Sequence, residues 1–210
     1  MYNVYYPLLV IMIGTACRCG EIIGLTWSDV DMAKKQVVVD HQLIYKNLGD
    51  GTKFYITTPK TEAGNRTIPM TRTVRHAFEQ QKEYQFMLGI DRDVAVDGYK
   101  GFIFTSKSGR PLQPSAVNNA LYNMVDAFNK KEKERASREH RKPEFLPTVS
   151  AHTLRHTGCT RMAERGMDVK VLQYIMGHAN IAVTMEVYNH ITEHERIEKE
   201  IIKMEDLMAM

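Results

Sequence analysis

The stretch Ser150-Ala-His-Thr-Leu-Arg-His-Thr-Gly158 gathers the most reactive set of side chains in the sequence. Ser150 is a good helix N-cap, so a helix is predicted to begin there, with His152 and Arg155 in its first turns. At i, i+3 their side chains leave one face, with Cβ atoms roughly 5–6 Å apart. Unpaired N–H groups and the positive end of the helix dipole make that place hospitable to an anion. An imidazole and a guanidinium together there would grip a phosphate, although H-x-x-R is a common pattern and a helix-start arginine is ordinarily solvated. Further on comes Met176-Gly-His-Ala-Asn-Ile-Ala-Val-Thr-Met-Glu-Val-Tyr188. Gly177 is predicted to end one helix, His178 to occupy the turn, and Asn180 to cap the next helix, which carries Tyr188 in its last turn. Taken alone, Tyr188 is one of ten tyrosines, and His156 and His190 read as structural or exposed.

Two more pieces lie upstream. In Gly14-Thr-Ala-Cys-Arg-Cys-Gly-Glu21, Arg18 falls in a small-residue break within an apolar helical stretch. A guanidinium there is costly unless it meets an anion or a carboxylate, and Glu21, at i+3, could orient it or simply pair with it. Cys17, Cys19 and Cys159 form no C-x-x-C pair, so they read as small buried thiols and no zinc site is expected. In Pro59-Lys-Thr-Glu-Ala-Gly-Asn-Arg-Thr-Ile-Pro69, Lys60 is placed at a hairpin turn with Arg66 on the return strand. A hairpin-tip lysine is usually solvated, but this one could reach into a neighbouring cleft.

The elements that would hold these pieces follow from periodicity. Residues 3–26 read as helical with one break. The period then shortens to two in four β-branched or aromatic runs, 36–39, 42–45, 54–57 and 66–69, punctuated by turns at 47–51 and 62–65. This predicts a small antiparallel three-stranded sheet near residues 36–69 inside an α+β, mainly helical chain. Helical pattern resumes over 71–88 and breaks at the Ser/Gly/Pro-rich stretch 105–114. It returns from Ser115 and trails into the basic run 130–142, and three or four short helices follow Ser150, separated at Gly166 and Gly177.

Composition agrees with a folded chain: of 210 residues, 43% are hydrophobic and 25% charged, which excludes disordered, collagenous and disulfide-stapled classes. Three cysteines suit a reducing compartment. The longest apolar run, Pro7 to Ile13, is far short of the roughly 20 residues of a membrane span and has no basic residue before it. Net charge is +3; residues 191–210 carry six acidic and three basic side chains, leaving a mildly basic body. That distribution allows a polyanionic partner without requiring one. Residues 128–142 hold seven basic against three acidic groups and read as a solvated helix end.

Taken in order, the Arg18/Glu21 pair, the hairpin Lys60, the His152/Arg155 motif, Gly177-His178 and Tyr188 resemble the catalytic domain of a tyrosine recombinase. This is the phage integrase family, in its prophage or conjugative-transposon form, and the resemblance runs over about residues 5–190. It implies that Arg18, His152, Arg155 and His178 surround a scissile phosphate, that Lys60 acts on the leaving oxygen, that Tyr188 is the nucleophile, and that Glu21 supports Arg18. It further implies a metal-free, cofactor-free strand transfer on double-stranded DNA at attachment or core sites. The chain would be a monomer when free and a tetramer on DNA, in the cytoplasm of a bacterial host. On this reading residues 1–190 form the catalytic domain and 191–210 a tail helix with the apolar stripe Ile197, Ile201, Met204 and Met208. That helix packs on its own domain or on a neighbouring copy, and core-binding and arm-binding domains are absent. A type IB topoisomerase and a DNA-binding module without activity are the alternatives.

Overall fold

The computed structural model describes residues 3–49, 51–59 and 61–189. Lys60 and the expected tail helix over 191–210 therefore lie outside the described residues.

Helix α1 (Tyr6–Thr15) has Pro7 in its first turn, where the missing N–H costs nothing, and buries Leu8, Ile11 and Met12. It stops at Ala16, which takes a left-handed φ of 50°. Arg18 is extended, and α2 (Cys19–Gly24) starts from it, with a Glu21 carboxylate oxygen accepting the Arg18 backbone N–H at 2.8 Å. The predicted break at the small residues is thus a helix end followed directly by a helix start.

All four predicted strand runs form, and the expected three-stranded antiparallel sheet is present, with two of the runs set apart as a separate hairpin. β1 (Val30–Asp31), β2 (Gln36–Val39) and β5 (Arg66–Pro69) form one sheet in the order β1-β2-β5, while β3 (Gln42–Asn47) and β4 (Thr52–Thr57) form a separate hairpin. All pairs are antiparallel, with Val39 opposite Arg66 and Val37 opposite Ile68. The division falls at His41, whose buried ring leaves the strand direction to bond the Gly24 carbonyl at 2.9 Å and so pins the chain to the end of α2.

Helix α3 (Arg72–Met87) is capped by the Thr71 hydroxyl, which accepts the Val74 N–H, and packs against α1. Helix α4 (Pro114–Arg138) takes up most of the basic run. The chain returns along it in extended form, tied by paired bonds between Asn129 and Leu146 at 3.0 and 2.8 Å. Three short helices complete the described part: α5 (Ala151–Glu164), α6 (Val169–Met176) and α7 (Ile181–Asn189). α5 lies so close to α1 that a Cβ on Gly158 would stand 2.3 Å from the Ile13 carbonyl oxygen. Most of the core gathers around α1, α2, α3 and the β1-β2-β5 sheet, and a smaller cluster joins Ala16, Cys159, Leu172, Met176 and Tyr188. Among the described residues no helix is long and apolar enough to cross a membrane.

Candidate active site

The site is built on the C-terminal end of α6. An α-helix leaves its last carbonyls without intrahelical partners and carries the negative end of its dipole there. Three guanidiniums from distant parts of the chain meet those carbonyls. Arg66 Nε donates to the Ile175 oxygen at 2.7 Å, Arg155 Nη2 to the Met176 oxygen at 2.6 Å, and Arg18 Nη2 to the Gly177 oxygen at 3.3 Å. Gly177 makes this possible: its φ is +60°, and a Cβ there would lie 2.9 Å from Arg66 Nη1.

Each arginine reaches this point for a local reason. Arg155 sits on the inward face of α5, capped as predicted by the Ser150 hydroxyl, and its second arm caps α1 through the Ala16 carbonyl at 2.8 Å. Arg66 comes from β5, where period-two alternation sends Arg66 and Ile68 inward together. Arg18 is the N-cap of α2, and its side chain remains 43% exposed. Glu21 is the one carboxylate among them. It accepts from Arg18 Nη1 at 2.9 Å and from Arg66 at 2.8 and 3.2 Å. Burial alone would raise the Glu21 carboxyl, but hydrogen bonds from Arg66, and then Arg18, hold it below the usual carboxylate range. Arg66 is likewise kept charged: burial opposes the charge, and the bond to Glu21 outweighs it.

Three guanidiniums against one carboxylate leave positive charge in excess, and it faces a cleft. Arg18, His152, Arg155 and His178 line a cavity of about 670 Å³, together with Asn118 and Asn180. Burial, followed by the nearby Arg18, brings Arg155 down to about 10, so it is still a cation at neutral pH. His178 is lowered to about 4 by burial and then by Arg155 and Arg18, which leaves it neutral. Its tautomer follows from its partners: a guanidinium only donates, so Nε2 accepts from Arg155 Nη2 at 3.0 Å and Nδ1 carries the proton toward Thr184 Oγ1 at 3.0 Å. His178 therefore turns a lone pair toward Arg155. His152 is exposed at the cleft edge, and its Nε2 lies 2.7 Å from Nε2 of His156.

The structure thus brings together four of the six side chains nominated from sequence, with Glu21 behind them. Tyr188 stands in the last turn of α7, as predicted, but its phenol is buried in the smaller cluster and its hydroxyl donates to the Met167 carbonyl. Met167 precedes α6, whose eight residues rise about 12 Å, so this hydroxyl lies at the opposite end of that helix from His178. Tyr188 lines neither this cleft nor the smaller cavity beside it. Sequence reasoning put Arg66 on the return strand without giving it a part in the site. The available signal was a charged residue on the inward register of a strand, in phase with Ile68. Asp29, Asp40 and His41 also have ligand atoms within 4.8 Å of one another. Their atoms are occupied, however: His41 bonds Asp40 at 2.6 Å, and Asp29 accepts from the Thr26 N–H and hydroxyl at 2.7 and 2.8 Å.

A helical domain with two small antiparallel sheets and a cationic pocket of this design has the fold of the tyrosine recombinases. The XerA recombinase superposes on 95% of this chain and 56% of its own, with a TM-score of 0.61 at 19% identity. The chain belongs to the phage integrase family, whose sequence profile matches residues 3–195. It is 37% identical over 205 residues to the transposase from transposon Tn916 of Enterococcus faecalis, covering 95% of this chain and 47% of that protein. To the integrase of Staphylococcus phage L54a it is 30% identical over 186 residues, covering 85% of this chain and 46% of that one. The Tn1549 transposon integrase in complex with transposon right end DNA matches at 37% identity with a TM-score of 0.78, over 95% of this chain and 59% of that chain. The chain spans about half the length of the curated relatives it matches.

Proposed function

We propose that this chain is the strand-cutting part of a site-specific DNA recombinase of the conjugative-transposon type, and that it acts through a 3′-phosphotyrosine intermediate at Tyr188. The observation that carries the reading is the surplus of guanidinium charge fixed at the end of α6 and open to a cleft with two imidazoles. A phosphodiester gains charge on its equatorial oxygens as it is displaced, and Arg18 and Arg155 offer forked donors suited to them. Donors already held in place, and stronger toward the transition state than the ground state, supply rate.

In the reaction, the Tyr188 oxygen attacks phosphorus and the bond from phosphorus to the 5′ oxygen breaks. The phenol, with an ordinary pKa of about 10, needs its proton removed. The neutral His178 has a lone pair for that proton once Arg155 turns from it to the phosphate. His152 donates to a phosphate oxygen, Lys60 protonates the departing 5′ oxygen, and Glu21 keeps Arg18 in place. A 5′-hydroxyl of a second strand then attacks the phosphotyrosine and reseals the DNA, so the bond energy is conserved and no metal or nucleotide takes part in the scheme. Tyr188 must first leave the Met167 carbonyl, and DNA-bound neighbouring copies are the natural cause of that movement. The working assembly is a tetramer on DNA that forms from free monomers in the bacterial cytoplasm.

Incubation with a nicked suicide substrate followed by a denaturing gel tests the chemistry. Wild type should give a covalently shifted band and Tyr188→Phe none, with DNA binding retained; an undiminished band from the variant would exclude Tyr188. Sedimentation with and without DNA tests the assembly, and a stable tetramer without DNA would contradict it.

A further inference from the structure

On the outward face of α5, one turn apart, His152 and His156 bring their Nε2 atoms to 2.7 Å, with ring centroids 4.3 Å apart and the rings edge to face. Both side chains are exposed. Both also line a second cavity, of about 380 Å³, whose wall includes Glu186 and Thr160. The proposed reaction uses His152 only, and the hydrogen bond between the two rings holds the second imidazole beside it. Two imidazole nitrogens brought this close at i, i+4 can turn from each other to a shared ion and chelate it. In tetrahedral zinc coordination, with bonds of about 2.0–2.1 Å, ligand nitrogens stand roughly 3.3 Å apart. A side-chain opening of about half an ångström would change the present hydrogen-bonded pair into a coordinating one.

We propose that His152 and His156 form a two-imidazole site for a divalent zinc-class ion, and that its occupation withdraws His152 from the DNA cleft and halts strand cutting. Imidazole nitrogen favours zinc, copper and nickel, whereas magnesium and calcium prefer oxygen. Arg155 lines the same cavity and its charge opposes the ion, although its donors are turned inward to the Ala16 and Met176 carbonyls. Glu186, the only carboxylate on the wall of this cavity among the described residues, offsets the ion's charge. Water completes the coordination. The binding half of the proposal stands on geometry alone; the inhibitory half rests on the function proposed above.

The test is calorimetric titration of the full chain with zinc chloride, with magnesium chloride as the control. A second histidine pair at the same spacing, His190 and His194, lies outside the described residues. The parent protein for the test therefore carries His190→Gln and His194→Gln. The parent should bind zinc and ignore magnesium, His156→Gln should lose one zinc equivalent, and His156→Cys, which keeps a ligand at that position, should retain it. In the suicide-substrate assay, zinc should suppress covalent attachment by the parent, EDTA should restore it, and attachment by His156→Gln should be indifferent to zinc. Equal zinc stoichiometry in the parent and His156→Gln would overturn the site. Zinc bound at His156 without any change in attachment would overturn the inhibition. A parent that attaches no DNA even in EDTA would count against the proposed function, while the zinc stoichiometry would still decide the site.

Discussion

Two arginine–glutamate clusters brace the described residues, and they differ in charge balance. At the end of α6, Arg18, Arg66 and Arg155 gather around Glu21 alone. At the end of α4, Glu132 takes Arg141 on both oxygens, and Glu139 takes Arg135 and Arg141 at 2.8 and 2.7 Å, two cations for two anions. The second cluster lies in the most basic run of the sequence, yet it works as a clip that fastens the returning chain: Glu132 also accepts the Glu144 backbone N–H at 2.9 Å. The remaining lysines of that run stand on an exposed face, where water and salt screen them. The first cluster is less conspicuous in sequence, but its cationic surplus is held half-buried by backbone carbonyls. A usable anion site is therefore marked by unbalanced, fixed charge and not by the number of basic residues in a segment.

Losing one arginine from each cluster gives the sharpest contrast. Arg155→Ala should slow covalent attachment by about 10²–10³-fold, the usual cost of one preorganised transition-state donor, with a smaller loss of DNA affinity. Arg141→Ala should leave the attachment rate near that of wild type. Equal slowing in single-turnover assays would erase the distinction. Removal of the carboxylates comes next. Glu21→Gln strips the buried Arg66 and the half-exposed Arg18 of the one carboxylate bonded to them among the described residues, and should cost about 3–5 kcal/mol in urea unfolding. Glu132→Gln, next to an arginine more exposed than Arg66, should cost clearly less.

Acid should loosen the two regions in different ranges. His178, held near 4 against an ordinary 6.5, stays unprotonated in the folded chain while the unfolded chain takes up a proton. Its contribution is complete above pH 6.5 and is lost as pH falls toward 4. The slope is at most about 1.4 kcal/mol per pH unit, and water around the half-buried ring screens it to less. Glu132, held near 2 against 4.5 chiefly by the Arg141 hydrogen bond, contributes above pH 4.5 and loses its contribution as pH falls toward 2. Urea midpoints across both ranges should lose the upper slope in His178→Gln and the lower one in Glu132→Gln; the same change in both variants would refute the assignment. The smallest effect belongs to Gly177→Ala, which should cost about 1 kcal/mol for its positive φ. Displacement of Arg66 by the added methyl group would add to that loss, and an unchanged melting temperature would count against the cap geometry.

Local signals were the legible ones. Ser150, Gly177 and Asn180 could be read as helix punctuation because capping is decided within four residues, and each does what its type predicts. The strand runs were legible for the same reason, whereas their division into two sheets depends on His41 reaching Gly24, a contact the period of two does not contain. Arg18, His152, Arg155 and His178, which the resemblance grouped, line one cleft although Arg18 and Arg155 are far apart in sequence. It could not supply the direction of the Tyr188 phenol, which depends on the loop between α5 and α6, or the pairing of His152 with His156, which depends on rotamers.

The shared anchorage on three successive carbonyls of α6 also bears on how the protein is made. Arg18 and Arg66 can meet Glu21, and Arg155 the Ala16 carbonyl, as soon as those residues are made, but the anchorage that draws all three to one point is complete only once the chain has been synthesised through Gly177.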